Sequence, residues 1–546
     1  MGLMRRRDFL RVVAGGMAAG AAGMQAWAQA ACRRPNIILF LVDDMGWQDT
    51  SLPFWREATG FNRHFRTPNM ERLAGQGIRF TNAYAHAVCS PTRTSIMTGQ
   101  SPLRHHVTNW TLWPDRDTSG KWGRVASPRE WRMGGLQPAD VTLAKVLQEA
   151  GYFTIHCGKA HWGTNDTPGS DPCHLGFDVN IAGHAAGGPG SYQGLENFGN
   201  KGKGGHTRPW GVPGLEKYHG QDIHLSDALT VEAKAAVGRA VEAKQPFYLY
   251  MAHYAVHAPI QAHKRFIAHY EGRSYADTSI DIPQEEERYA SMVEGMDASL
   301  GALLDHVAQL GVAEDTLVIF TSDNGGLSVH ARGKTPRGTG ANTHNWPLKA
   351  GKGSAYEGGT RVPFIAAWAR PQENHPLQRA LPIEGGALSA QPVISEDLFP
   401  TLASIGEAAG HIPAGYAVDG RDLRAYLLQR EAAPERPLYF HYPHVWGPRG
   451  PGYEPHSAMH VGAWKVIYFY NPRRWELYNV AEDIGETENL AEGQPERLEE
   501  LAERMQRDFR AMGAQWPVNR ASGAEEPLMT PAELRALAAR GGPTSE

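Results

Sequence analysis

Short, almost wholly apolar runs recur along the first two thirds of the chain, at 36–42, 153–156, 247–254, 317–321 and 364–368. Each has the length of a buried strand and ends in polar or turn-forming residues. Between them the apolar spacing becomes helical: the run VTLAKVLQEA at 141–150 stops at Gly151, and 285–309 repeats apolar residues every three to four positions before Gly311. Strands alternating with helices predict an α/β fold, with a large mixed, mostly parallel sheet sandwiched by helices. Past residue 433 the pattern changes. Four closely spaced runs, at 438–442, 458–460, 465–470 and 476–480, predict a small antiparallel sheet, and 496–512 predicts a helix beside it. The chain therefore divides into a large domain over 33–432 and a smaller one over 433–546, with a loosely docked tail expected after Ala521. Two long segments rich in Gly, Pro and Trp, 109–135 and 182–214, show no period. Loops of that length in a compact protein are functional or mobile.

Composition changes the picture in three ways. With 41% hydrophobic and 21% charged residues over 546 positions, disorder is excluded as the general state. No uncharged apolar run after residue 31 approaches the roughly 20 residues of a membrane span, so no stable membrane insertion is expected. The N-terminus reads Arg5-Arg6-Arg7-Asp8-Phe9-Leu10-Arg11, then a Gly/Ala-rich uncharged stretch and Ala28-Gln29-Ala30. That pattern predicts an export signal over 1–30 of the twin-arginine type, hence a periplasmic or secreted protein that engages the export machinery after folding. An uncleaved anchor and a lipoprotein signal ending at Cys32 are the alternatives. Taking four arginines and one aspartate from 54 basic and 58 acidic residues leaves 50 against 57 in the mature chain. An acidic balance argues against nucleic acid as a partner, and an anionic substrate would need locally gathered cations. Four cysteines are too few for a disulfide framework; Cys157 and Cys173 either pair or stay free.

The chemistry sits at the ends of the apolar runs. The first ends in Asp43-Asp44, and the run at 317–321 leads into Ser322-Asp323-Asn324-Gly325-Gly326. Ligands of parallel α/β sheets bind outside the carboxyl ends of strands, so the two clusters can meet at one point. One aspartate at a strand end is usually a cap or turn. Three carboxylates and an amide oxygen together make a hard shell suited to calcium or magnesium. Cys89 lies in CSPTRTSIMTG, where Pro91 is placed to open a helix whose N-terminus would attract an anion, with Arg93 one turn further on.

Cys89-Ser90-Pro91-Thr92-Arg93, continued by Thr94-Ser95 and Thr98-Gly99, resembles the signature of the formylglycine-dependent sulfatases, members of the alkaline-phosphatase-like superfamily. Further segments follow in that family's order: Gly158-Lys159-Ala160-His161-Trp162-Gly163, with Ala160 in place of an aromatic; HYAVHAP at 253–259, pointing to His257; KAGKGSAYEGGTRV at 349–362, pointing to Lys352; and Glu476-Leu477-Tyr478-Asn479 with 483–489. The resemblance implies that Cys89 is converted to 3-oxoalanine (formylglycine) by a formylglycine-generating enzyme. One hydroxyl of the hydrated aldehyde would attack sulfur, and the other would expel sulfate as the aldehyde re-forms. It further implies one Ca2+, or Mg2+, held by Asp43, Asp44, residue 89, Asp323 and Asn324. Arg93, Lys159 and Lys352 would hold the sulfate, His257 would protonate the leaving alcohol and His161 would take the proton of the elimination, two roles that can be exchanged. Candidates for substrate contact are His184, His253, Arg104 and Trp110. Export and the segment IAGHAAGGPGSY at 181–192 resemble carbohydrate sulfatases of bacteria, implying exo-cleavage of a sulfate ester on a galactose or N-acetylhexosamine unit. The alternatives are a broad arylsulfatase acting on small sulfate esters, a phosphonate or phosphodiester hydrolase of the same superfamily, and a sugar-binding protein in which Cys89 stays a thiol.

Overall fold

The run NIILFLV is buried along its whole length because it lies in the middle of a sheet with parallel neighbours on both sides. In this computed structural model the described residues are 34–200, 209–272, 284–328, 332, 344–429, 435–447, 449–450 and 452–539. The expected export signal at 1–30 and Cys32 lie outside them. The strands are, in chain order, β1 (Asn36–Val42), β2 (Gly77–Tyr84), β3 (Val125–Ala126), β4 (Phe153–Gly158), β5 (Val179–Ile181), β6 (Phe247–Ala252), β7 (Thr316–Ser322), β8 (Arg361–Trp368), β9 (Ala387–Ser389), β10 (Val393–Ile394), β11 (Leu438–Tyr442), β12 (His456–Val461), β13 (Trp464–Tyr470), β14 (Arg473–Asn479) and β15 (Val518–Asn519).

The large sheet has the order β10-β2-β8-β7-β1-β6-β4-β5, with β9 also on β2. All its pairings are parallel except those of β8, which runs against both β2 and β7. Alternate residues of β1 face opposite layers. Ile38, Phe40 and Val42 meet the helices Pro68–Gly75, Leu225–Glu242 and Gln284–Gln309, while Ile37, Leu39 and Leu41 meet Leu143–Glu149, Leu398–Ile405 and the helix Cys89–Thr98.

The second sheet is the antiparallel meander β11-β12-β13-β14. One face, with Phe440, Ala458, Ile467 and Phe469, packs on Tyr84, Ala87, Val88 and Tyr356 of the large domain. The other, with Met459, Val466 and Tyr468, is covered by Leu498, Ala502, Met505 and Phe509 of the helix Pro495–Met512. Lys465 is buried in this junction and pairs with Glu357 at 2.9 Å and Glu486 at 3.0 Å. A buried pair of this kind adds little net stability, but removing one partner strands a charge.

One expectation changes, and one open alternative is decided. The chain after Ala521 is docked through residue 539: Leu528 is buried, Glu526 accepts from Arg124 at 2.6 Å and also binds Arg473, and β15 pairs with β3. Cys157 and Cys173 are not bonded; Cys157 is a buried free thiol and Cys173 an exposed one. Among the described residues no helix is long and apolar enough to cross a membrane.

Candidate active site

Four neighbouring parallel strands end at one edge of the large sheet. β7 leads into Asp323 and Asn324, β1 into Asp43 and Asp44, β6 into the loop carrying His257, and β4 into Lys159 and His161. β2 runs in the same sense and feeds the helix Cys89–Thr98, whereas β8 is reversed, so the segment before it brings Lys352 to the same edge. Cys89 is the first residue of a helix that is buried throughout and opens after Val88, two residues before Pro91. That helix ends at Gly99 in the left-handed region, φ 69°, where a Cβ would come within 2.8 Å of the Phe399 ring.

Three cations and three carboxylates meet at residue 89. Arg93 donates from Nε to Asp323 at 2.7 Å and from Nη1 to the Lys159 carbonyl at 2.8 Å. Lys159 Nζ lies 2.7 Å from Asp43, and Lys352 Nζ lies 2.6 Å from Asp44 and 3.3 Å from Cys89 Sγ. Burial and the neighbouring Asp323 push the Asp43 carboxyl up. Burial also works against the charge of Asp44, but Lys352 and His257 outweigh it and hold that carboxyl well below its usual range. The Cys89 thiol is pushed up to about 12 by burial and by Asp323.

The two expected histidines flank this cluster. His161, at φ 59°, is held by its Nε2 to the Thr111 carbonyl at 2.9 Å and by its backbone N–H to the His184 carbonyl at 3.2 Å. Its Nδ1 is buried with no hydrogen-bond partner. His257 donates from Nδ1 to the Ala258 carbonyl at 2.6 Å, which leaves Nε2, 3.7 Å from Asp44 Oδ2, as its basic nitrogen. Burial, with Lys159 and Arg93, lowers His161 well below the usual histidine range; burial and Lys352 lower His257 to about 3. Gly187 and Gly188 thread past both rings. A Cβ on Gly187 would lie 2.4 Å from His161, and one on Gly188 would lie 2.8 Å from His257.

Above residue 89 opens a cavity of ≈220 Å³ lined by Cys89, His161, His257 and Lys352 with Val88, Gly187, Trp110, Trp210 and Trp446. Of the expected substrate contacts, Trp110 lines it. His184 acts through its carbonyl on His161. Arg104 and His253 are not among the residues lining it: the Arg104 guanidinium is clamped by Asp419 at 2.8–3.1 Å, and His253 is fully buried, with Nε2 2.9 Å from Ser299 Oγ and its ring on Phe40. Trp210 and Trp446 carried no motif, and the glycine pair at 187–188 was the one visible sign of close approach to the histidines.

The donor set suits a hard divalent cation. Ligand atoms of Asp43, Asp44, Cys89 and Asp323 all lie within 4.8 Å of one another. Asn324 Nδ2 donates to Asp44 Oδ1 at 2.8 Å, leaving Asn324 Oδ1 and Asp44 Oδ2 buried without hydrogen-bond donors. Two orphaned buried oxygens beside two further carboxylates are what an oxygen-seeking cation would satisfy.

The sulfatase family profile matches residues 35–407. A sulfatase of Formosa agariphila is 28% identical over 522 residues, covering 88% of each chain. The N-acetylgalactosamine-6-sulfatase of Rattus norvegicus is 30% identical over 473 residues, covering 85% of this chain and 77% of that one. The crystal structure of Ps i-CgsB in complex with k-i-k-neocarrahexaose has a TM-score of 0.64 at 26% identity, covering 94% of this chain and 98% of that one. The architecture is alkaline-phosphatase-like. With a profile match over more than half its length, and with strand ends that bring the segments of that match to a single point, the chain belongs to the sulfatase family, whose reaction is the hydrolysis of sulfate esters.

Proposed function

We propose that this sulfatase removes sulfate from the terminal unit of a sulfated carbohydrate, of galactose or N-acetylhexosamine type, using an aldehyde derived from Cys89 and one divalent cation, Ca2+ or Mg2+. The reaction rests on one observation, the convergence of Arg93, Lys159 and Lys352 with Asp43, Asp44 and Asp323 around residue 89. With all six ionised these charges balance, so a bound divalent cation would leave a positive excess that the single negative charge of an incoming sulfate monoester partly offsets. Asp43, Asp44, Asp323 and Asn324, with residue 89, would hold that cation. The substrate class is drawn from likeness: one relative is named an N-acetylgalactosamine-6-sulfatase, and one solved neighbour is in complex with k-i-k-neocarrahexaose.

As encoded, Cys89 is a neutral thiol at physiological pH and a poor nucleophile. A hydrated aldehyde in its place supplies a hydroxyl nucleophile that can revert to the carbonyl, and the cation supplies charge that favours its deprotonated form. Arg93 and Lys159, locked by buried carboxylates, orient those carboxylates and keep the positive field in place. Lys352, beside Sγ and open to the cavity, is placed to meet a sulfate oxygen. His257 Nε2 faces the cavity as the nitrogen that would carry the proton for the leaving alcohol. His161, with Nδ1 free, would take a proton at residue 89. Both are neutral at rest, and an arriving anion favours their protonation. The same reading takes 1–30 as an export signal, 33–432 as the catalytic domain and 433–546 as its subdomain, in a periplasmic or secreted enzyme matured by a formylglycine-generating enzyme.

Peptide mass spectrometry of active protein tests the nucleophile; an aldehyde at residue 89 is expected, and an unmodified thiol would sink it. Turnover of defined sulfated saccharides beside matched phosphate, phosphonate and aryl sulfate esters tests the substrate. Saccharide sulfates should be hydrolysed fastest, and activity confined to aryl sulfates or phosphonates would reject that assignment.

A further inference from the structure

Three tryptophans from distant parts of the chain, Trp110, Trp210 and Trp446, line the cavity above residue 89. Each is braced by another segment. The Trp446 carbonyl accepts from Trp122 Nε1 at 2.8 Å, and Tyr453 stacks on the Trp446 ring at 6.2 Å and 28°. That ring also lies so close over Gly353 that a Cβ there would come within 2.1 Å of it. Gly353 directly follows Lys352, and the Trp446 ring and Lys352 line the same cavity. The Trp210 carbonyl accepts from the Gly190 N–H at 2.6 Å, tying its backbone to the glycine-rich turn that passes His161 and His257. Trp110 is tied by its own carbonyl to Thr118 Oγ1 at 2.6 Å. Trp446 is 8% exposed and Trp210 39%, so one is a fixed wall and the other a rim.

Aromatic surface of this extent adds nothing to binding a sulfate group, which the buried cations serve. It suits the group that carries the sulfate. Among the described residues no carboxylate or amide side chain lines the cavity to read hydroxyl groups. At ≈220 Å³ the space is smaller than the about 300–1,000 Å³ typical of sites for drug-sized ligands, which leaves room for one ring. A pyranose with an axial hydroxyl presents one face made only of C–H bonds, and that face matches an indole.

We infer that Trp110, Trp210 and Trp446 form a cage for the leaving alcohol that takes one pyranose ring by its C–H face and thereby selects a terminal sulfated sugar. The cage rests on the proposed sulfate ester reaction. Trp446, contributed by the C-terminal subdomain, is its fixed platform, so that subdomain takes part in choosing the substrate.

The test compares kcat/KM for a hexose sulfate and for a ring-less hydroxyalkyl sulfate in wild type, Trp446→Ala, Trp210→Ala and Trp446→Phe. The ratio of the two values should fall about ten- to a hundred-fold in each alanine variant, as for truncation of an aromatic anchor, and Trp446→Phe should restore much of it. An unchanged ratio in both alanine variants, with wild type active, would overturn the cage and leave the reaction standing. Should wild type hydrolyse neither ester, the reaction fails and binding alone judges the cage. Saturable tryptophan quenching by the hexose sulfate in Cys89→Ala, lost when Trp446→Ala is added, supports it; equal quenching in both overturns it.

Discussion

Gly187→Ala is the smallest perturbation that should disable this site without touching a charge. The new methyl carbon would start 2.4 Å from His161 Cε1 and 2.8–2.9 Å from its two ring nitrogens, inside the 3.0 Å that real Cβ contacts keep. The ring cannot simply turn, because Nε2 is bonded to the Thr111 carbonyl at 2.9 Å and the backbone N–H is tied to His184. Either the imidazole moves and gives up a bond worth about 0.5–1.5 kcal/mol, or the glycine turn moves at an overpacking cost of about 1–3 kcal/mol. Displacement of a reacting group by about 1 Å lowers turnover on the order of a hundred-fold, so kcat/KM should drop far more than stability does. Steady-state kinetics on a saccharide sulfate, beside urea denaturation of the same sample, separates the two effects. Gly188→Ala should act in the same way through His257, which its methyl would approach to 2.8 Å. If Gly187→Ala kept kcat/KM within about twofold of wild type while His161→Ala abolished it, the spacer argument would be wrong.

Other outcomes follow from the buried charges. Lys465→Met would strand Glu357 and Glu486 at the junction of the two sheets and should cost about 3–5 kcal/mol in urea unfolding; adding Glu486→Gln should recover part of it, and no recovery would refute the pairing as the cause. His441 and His444 are lowered to about 3, and His456 and His460 to about 4, all by burial. Their folded-state values lie below the unfolded one near 6.5, so stability holds above that pH and falls as pH drops from 6.5 toward 4, by about 2 kcal/mol per histidine at pH 5. Denaturant midpoints that stay level between pH 7.5 and 5 would contradict this. Returning Ca2+ to chelator-treated protein should raise the melting temperature, with about 2.7 kcal/mol expected at a hundredfold excess over Kd; Asp44→Asn should remove that rise, and a rise that persists would move the cation elsewhere.

The linear order of residues determined much of this protein. Alternating apolar runs gave away the α/β layers because a strand buried on both faces has to be apolar throughout, as NIILFLV is. The chemistry at the strand ends was legible for the same reason: once 36–42 and 317–321 are parallel strands, Asp43, Asp44, Asp323 and Asn324 can only fall at one edge. Cys89, Arg93, Lys159, His161, His257 and Lys352 were marked by motifs, and the fold gathers them at that edge.

What surrounds them was decided by packing between segments far apart in sequence, which no local pattern encodes. Arg104 had the charge for an anion but was taken by Asp419, more than three hundred residues away. His253 had the right neighbourhood, yet just past the end of β6 it turns inward onto Ser299. The tail read as loosely docked because its polar composition hides a single buried leucine and one carboxylate that two arginines hold. Trp446 lies in the connection between β11 and β12 of a small sheet whose own pattern says nothing of catalysis. Only the docking of that sheet on Val88 and Tyr356, with the space left by the missing side chain of Gly353, carries the ring to the reactive residue. Sequence set which groups exist and at which strand ends they fall; tertiary structure set the walls of the cavity, because walls are made by contacts whose partners only the folded chain brings together.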